Sequence, residues 1–188
     1  QVTATWIETT GSEDRVVGRD GILRDMVVLL SSAKEEDLRG EQTIQRALFE
    51  SGRPVLIVPR KKTIGELKRI AVFWNGSKEA VRSIEAAMPL LRHAEAVDVM
   101  WVEEDVDVDA VQTGLASYLA WHGVAASDKR FSPDHRFIGE MLMDEAVKAN
   151  MDLVVMGGYS HSRLREFILG GVTQHMLEES PLPVLTAH

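Results

Sequence analysis

The chain has no cysteine. That excludes disulfides and thiolate metal sites and fits a reducing compartment. No apolar run approaches the length needed to cross a bilayer, and no secretory leader is recognisable. Aromatics are sparse, at 6% of 188 residues, and basic residues are outnumbered, giving a formal net charge of −8. An acidic chain binds nucleic acid or anionic membrane poorly, because phosphate contacts dominate that affinity. A phosphate-bearing ligand would therefore have to be held locally, by backbone donors rather than by a basic field. The six histidines show no metal-ligand spacing such as two on one helix turn. The acidic run Glu103 to Asp109 lacks the glycine and terminal glutamate of a calcium loop. No metal site is expected.

What is present is apolar periodicity. Hydrophobic residues make up 45% of the chain, enough for a packed core. Val2 to Ile7 is β-branched and aromatic and reads as a strand. Asp14 to Leu23 reads as a short helix weakened by Gly18 and Gly21. Met26 to Leu30 reads as a strand covered on both faces, Glu41 to Glu50 as a helix, and Val55 to Val58 as another buried strand. Arg60-Lys61-Lys62 reads as a solvated linker. From Ile70 onward strands and helices alternate: strands at 70–74, 97–102, 124–131, 152–156 and 183–186, and helices at 79–91, 111–121, 137–150 and 172–179. Asn75-Gly76-Ser77 is a turn that supplies a helix cap. This alternation predicts an α/β fold: an open, parallel, five-stranded sheet with helices on both faces.

The first 59 residues repeat part of that domain. Asp25 to Leu29 matches Asp152 to Met156, and Leu48 to Leu56 matches Leu177 to Leu185. Residues 1–59 thus read as the second half of one domain, 60–67 as a linker, and 68–188 as a complete second domain. Half a sheet would leave an unpaired edge. About 80–100 residues, the rest of a domain of ordinary size, are expected upstream or from another chain.

Leu153 to Thr173 is the stretch richest in chemistry. An apolar strand ends at Gly157-Gly158, and a second pair, Gly170-Gly171, precedes Val172-Thr173. Glycines let backbone approach an anion closely, and a helix N-terminus offers free N–H donors and a positive dipole end. The blander reading is a long loop with helix-terminating glycines. Gly158-Tyr159-Ser160-His161-Ser162 is a near miss to a hydrolase nucleophile elbow, without its final glycine and with too little chain after it for the usual partners. After Leu30 the first copy runs Ser31 to Asp37, with no glycine pair, so it is not expected to bind what the second copy binds.

These features resemble the universal stress protein family, UspA type, in its tandem two-domain form. The resemblance rests on Ile70 to Ser77, similar to the family's first strand and turn, and on the frame Gly157-Gly158-Tyr159-Ser160, nine residues, Gly170-Gly171-Val172-Thr173. The family's nucleotide-binding members carry G-x2-G-x9-G-(S/T). The spacing is kept here, with Ser160 in place of the second glycine and Gly171 in place of the hydroxyl residue. The resemblance implies a Rossmann-like fold, ATP or another adenine nucleotide with Mg2+ as cofactor, a cytoplasmic stress-response role, and a homodimer. It also implies that the last strands of the two copies meet. As nucleotide-binding residues it implies Asn75, Val102, Gly157, Ser160, Gly170, Gly171, Val172 and Thr173, with no catalytic residue. A ligand-free interaction or scaffold protein of the same fold, or a slow ATP hydrolase, are the alternatives.

Overall fold

The structure, a computed structural model, describes residues 2–31, 38–60, 63–103, 108–158 and 180–188. The elements in chain order are α1 (Glu13–Gly21), β1 (Val27–Leu30), α2 (Leu38–Ser51), β2 (Val55–Val58), β3 (Arg69–Phe73), α3 (Lys78–Leu91), β4 (Ala96–Val102), α4 (Val108–Trp121), β5 (Ala126–Phe131), α5 (Ile138–Lys148), β6 (Leu153–Gly157) and β7 (Val184–Ala187). The seven strands form one open sheet in the order β1-β2-β7-β6-β3-β4-β5. Five of them, β7-β6-β3-β4-β5, are parallel neighbours throughout, as the alternation of strands and helices requires. β1 and β2 are parallel to each other and join the five through the antiparallel pair β2–β7. The last strands of the two copies therefore do meet, with Leu56 opposite Leu185.

Period-two alternation along the buried strands sends side chains into two cores. On one face Ala71, Phe73, Met100, Val154 and Met156 pack against Ile44 and Leu48 of α2 and Met141, Leu142 and Ala146 of α5. On the other, Ile70, Val72, Val97, Val155 and Leu185 pack against Ile84, Ala87 and Leu91 of α3 and Leu115 and Leu119 of α4. The helices lie on both faces, as parallel crossovers demand.

The internal repeat is visible as geometry. The β1–β2 register, Val27↔Val55 to Leu30↔Val58, matches the β6–β7 register, Val154↔Val184 to Gly157↔Ala187, position for position. The flanking hydrogen bonds match too. Val27 N donates to Pro54 O (3.0 Å) as Val154 N does to Pro183 O (2.9 Å), and Ser31 N donates to Val58 O (2.8 Å) as Gly158 N does to Ala187 O (3.1 Å). Arg53 N donates to Ser51 Oγ as Leu182 N does to Ser180 Oγ.

Three readings of the sequence need correction. Val2 to Ile7 forms no strand; it is exposed, and no described strand lies alongside it. β-propensity alone does not make a strand without a ladder to join. β1 is not covered on both faces: Val27 and Leu29 are partly buried, but Val28 and Leu30 are exposed. Gly18 and Gly21 do not merely weaken α1. A Cβ at Gly21 would stand 2.8 Å from Ser51 Cβ, and one at Gly18 3.3 Å from Glu50 Cβ, so the glycines, Gly21 above all, let α1 lie close on α2. Arg60 is exposed, and its Nε also donates to Ser31 O at 2.9 Å; Lys61 and Lys62 lie outside the described residues. The expected helix at 172–179 also lies outside them.

Candidate functional site

In an open α/β sheet the carboxyl ends of parallel strands form the ligand crevice. Here the ends of β4, β3 and β6 lie side by side, because Phe73 is in register with both Met100 and Met156. Beyond those positions come Trp74 and Asn75 after β3, Val102 at the end of β4, and Gly157 and Gly158 at the end of β6. Three of the expected site residues, Asn75, Val102 and Gly157, are thus brought to one end of three neighbouring strands. Ser160, Gly170, Gly171, Val172 and Thr173 lie outside the described residues.

The turn after β3 is built from short polar side chains. Gly76 adopts φ +73°, which a side chain would oppose. Asn75 Oδ1 accepts from Ser77 N (3.1 Å) and Ser77 Oγ (2.7 Å), and Ser77 Oγ accepts from Ala80 N (3.1 Å). The expected cap is therefore present, and Asn75 holds it in place. This arrangement aims the N-terminus of α3, with its positive dipole end, over the ends of β3 and β6.

Gly157 is under a demand that its spacing does not reveal. A Cβ there would stand 2.6 Å from Ala80 N and 3.0 Å from Glu79 C. The first turn of α3 rests directly on the backbone of β6. Gly158 is similar: a Cβ would stand 2.6 Å from Thr186 Oγ1. Neither residue has a positive φ, so the need is for space rather than for an unusual backbone. Ser83 completes the joint. Its Oγ donates to Glu79 O (2.9 Å) and accepts from Ala187 N (2.8 Å), tying α3 to β7.

Polar groups buried around this joint escaped the sequence reading. Glu79, in the first turn of α3, is only 2% exposed. Helical spacing places position 79 beside inward-facing Ala80, but nothing in the spacing says that a carboxylate will be enclosed. Thr186 Oγ1 and Trp74 Nε1 are buried without a hydrogen-bond partner among the described residues. Beyond the carboxyl end of β5, Arg136 contacts Asp134 and Asp144 at 2.6 Å each. Its hydrogen bond holds the Asp134 carboxyl below the usual carboxylate range. The same two carboxylates raise the pKa of the guanidinium, which is committed to them.

No three His, Asp or Glu side chains converge as metal ligands among the described residues. Nor is any helix among them long and apolar enough to cross a membrane.

Comparison with known proteins follows the same lines. Residues 125–188 match the model of the universal stress protein family. No curated protein matches the sequence. Among solved structures, a universal stress protein from Archaeoglobus fulgidus DSM 4304 superposes with a TM-score of 0.74 at 18% identity, over 93% of this chain and 66% of that one. A putative universal stress protein from Pseudomonas aeruginosa UCBPP-PA14 superposes with a TM-score of 0.59 at 13% identity, over 94% of this chain and 68% of that one. A universal stress protein family protein from Arabidopsis thaliana, solved with AMP bound, covers 64% of this chain and 90% of its own at 16% identity and a TM-score of 0.45. The segment 125–188 thus carries the match to the universal stress protein family, and the chain as a whole shares the fold of the Archaeoglobus and Pseudomonas structures.

Proposed function

We propose that the chain binds an adenine nucleotide, ATP foremost, at the carboxyl ends of β3, β4 and β6, and that it acts in a stress response through ligand-dependent conformation or partner contact. Residues 68–188 would be the binding domain, 60–67 a linker, and 1–59 the second half of a further domain. The observation that carries this reading is the capped N-terminus of α3, seated on Gly157 between the ends of β3 and β6. Backbone amides of the first turn, the backbone of Gly157 and the Gly170-Gly171-Val172-Thr173 segment would receive the phosphates. Asn75, whose Oδ1 is used by the turn, would offer its Nδ2 to ribose or base, and the backbone at Val102 would meet the adenine. Ser160 would contribute its hydroxyl. Mg2+, if it accompanies the nucleotide, would be carried on the phosphates.

A specific observation favours a second reading, that of a ligand-free interaction protein. Glu79 places an acidic side chain inside the first turn of α3, 3.9 Å from Lys78 Nζ, on an already acidic chain. A nearby negative charge opposes phosphate by Coulomb repulsion.

Denaturing extraction of exchanged protein and calorimetry with Mg-ATP decide between the two. Nucleotide binding predicts released nucleotide or measurable heat, strengthened in Glu79→Gln and in Ser160→Gly. Silence in both assays for all three proteins sinks the proposal and leaves the scaffold reading. Cytoplasmic location and homodimerisation belong to the same proposal, and light scattering of the purified chain tests the dimer.

A further inference from the structure

Two glycines inside elements are explained by a neighbour. A Cβ at Gly21 would strike Ser51, and one at Gly157 the backbone of Ala80. Gly114, inside α4, has no such neighbour: a Cβ there would meet no described atom within 4 Å. The position is exposed, and glycine inside a helix is destabilising relative to alanine. About two turns further along the same face stands Trp121, 84% exposed. An open space and a large apolar side chain thus share one side of one helix.

The surface between them is small and uncharged. Ala116, Ser117 and Ala120 are exposed, while Leu115 and Leu119 point into the core. Between Asp109 and Asp128 the sequence holds no Asp, Glu, Lys or Arg. Other helices present both signs of charge to water, Arg82 and Glu85 on α3 and Asp144 and Lys148 on α5. The polar groups at the end of α4 are engaged toward α3. Arg92 Nε donates to His122 O at 3.0 Å, and Tyr118, stacked on His122, hydrogen-bonds Glu85. The helix end is therefore held in place from within. α4 packs at the β4–β5 end of the sheet, opposite to β1.

We infer that the exposed face of α4 is the contact between two copies of this chain, packed antiparallel about a two-fold axis beside Ser117. Each Trp121 then fills the space over Gly114 of the other copy. A knob and a hole on one face of one helix complement themselves under two-fold symmetry, since each contact is made twice. The small residues between them let the two helices approach closely. Charge selects the same occupant. Two chains of formal net charge −8 repel where their carboxylates face each other, and this face brings none. It also gives a charged partner of another kind nothing to pair with. The edge of β7 is not available to a second copy, because β2 occupies it. The inference rests on the homodimer proposed above and gives it a place.

A chain without cysteine makes the test clean. Ser117→Cys puts one thiol beside the axis and should yield a disulfide-linked dimer under copper-phenanthroline oxidation. Lys148→Cys, exposed on α5 across the sheet, should not. One helix pair is a small interface, so sedimentation equilibrium is expected to give a dissociation constant of about 10 µM. Ser117→Arg should weaken it by about 100-fold and Trp121→Ala by about tenfold, with the thermal midpoint of the monomer unmoved. Gly114→Leu fills the hole and should weaken it as well. Gly114→Leu with Trp121→Ala exchanges knob and hole, and should dimerise more tightly than either single variant. A chain that stays monomeric up to about 1 mM overturns the homodimer and this inference together. A dimer that survives Ser117→Arg, or that cross-links as readily through Lys148→Cys as through Ser117→Cys, leaves the homodimer standing and overturns its placement on α4.

Discussion

The β1–β2 and β6–β7 pairs share a register and its flanking hydrogen bonds, yet they end differently. β1 runs into Leu30-Ser31 and β6 into Gly157-Gly158. A ladder needs only backbone and apolar side chains, so both sequences satisfy it. The ends differ because of what rests on them. α3 sits on Gly157 at backbone contact, and among the described residues nothing sits on Leu30. The glycine is thus a record of the neighbouring helix as much as of any ligand.

The largest effect that tests this contrast is Gly157→Ala. Its Cβ would have to displace the backbone of Glu79 and Ala80, which Ser77 and Ser83 both anchor. Overpacking against backbone is expected to cost about 3 kcal/mol or more, visible as an early urea midpoint. At the matching position, Leu30→Ala removes a half-exposed side chain and is expected to cost under about 1 kcal/mol. Equal losses at the two positions would mean that the helix seat is not what requires glycine.

A smaller effect separates the two helices that precede these strands. α1 carries Gly18 and Gly21 where α5 carries Glu145 and Lys148, which form an ion pair at 2.7 Å. Helix propensity alone says that Gly21→Ala stabilises by about 1 kcal/mol. The structure says the reverse, because the new Cβ meets Ser51 Cβ at 2.8 Å and Val27 Cγ2 at 3.1 Å. A net loss of about 1 kcal/mol is expected. Thermal denaturation gives the sign, and a gain would show that α1 does not lie closely on α2.

How much was legible follows from these cases. Strand and helix order is written in local periodicity, and the structure keeps it from Met26 to Lys148 within a few residues at each boundary. The cap at Asn75-Gly76-Ser77 was legible because side-chain hydrogen bonding over two or three residues is itself local. What stayed hidden depends on distant residues. A run such as VVLL looks the same whether one face or two are covered. Gly157 looks the same whether it serves a phosphate or a helix, and enclosure of Glu79 follows from where α3 lands. That β2 and β7 meet came from family resemblance, since no local pattern selects a strand's neighbour; that they meet antiparallel is seen only in the structure. The glycine frame from Ser160 to Thr173 lies outside the described residues.

The smallest expected effect sharpens the same lesson at Val2 to Ile7. This segment precedes α1 as β5 precedes α5. By composition it is the better strand: VTATWI is rich in β-branched and aromatic residues, whereas β5 is ASDKRF. Yet β5 forms a ladder with β4 from Val97↔Ala126 to Val102↔Phe131, and Val2 to Ile7 has no such neighbour among the described residues. The partner decides, not the propensity. Trp6 is 90% exposed, so Trp6→Ser in the isolated chain should shift stability by less than about 0.5 kcal/mol. The difference in fluorescence between the two proteins should be that of a water-exposed indole. Buried emission from Trp6 would show that the segment finds its ladder within the chain itself.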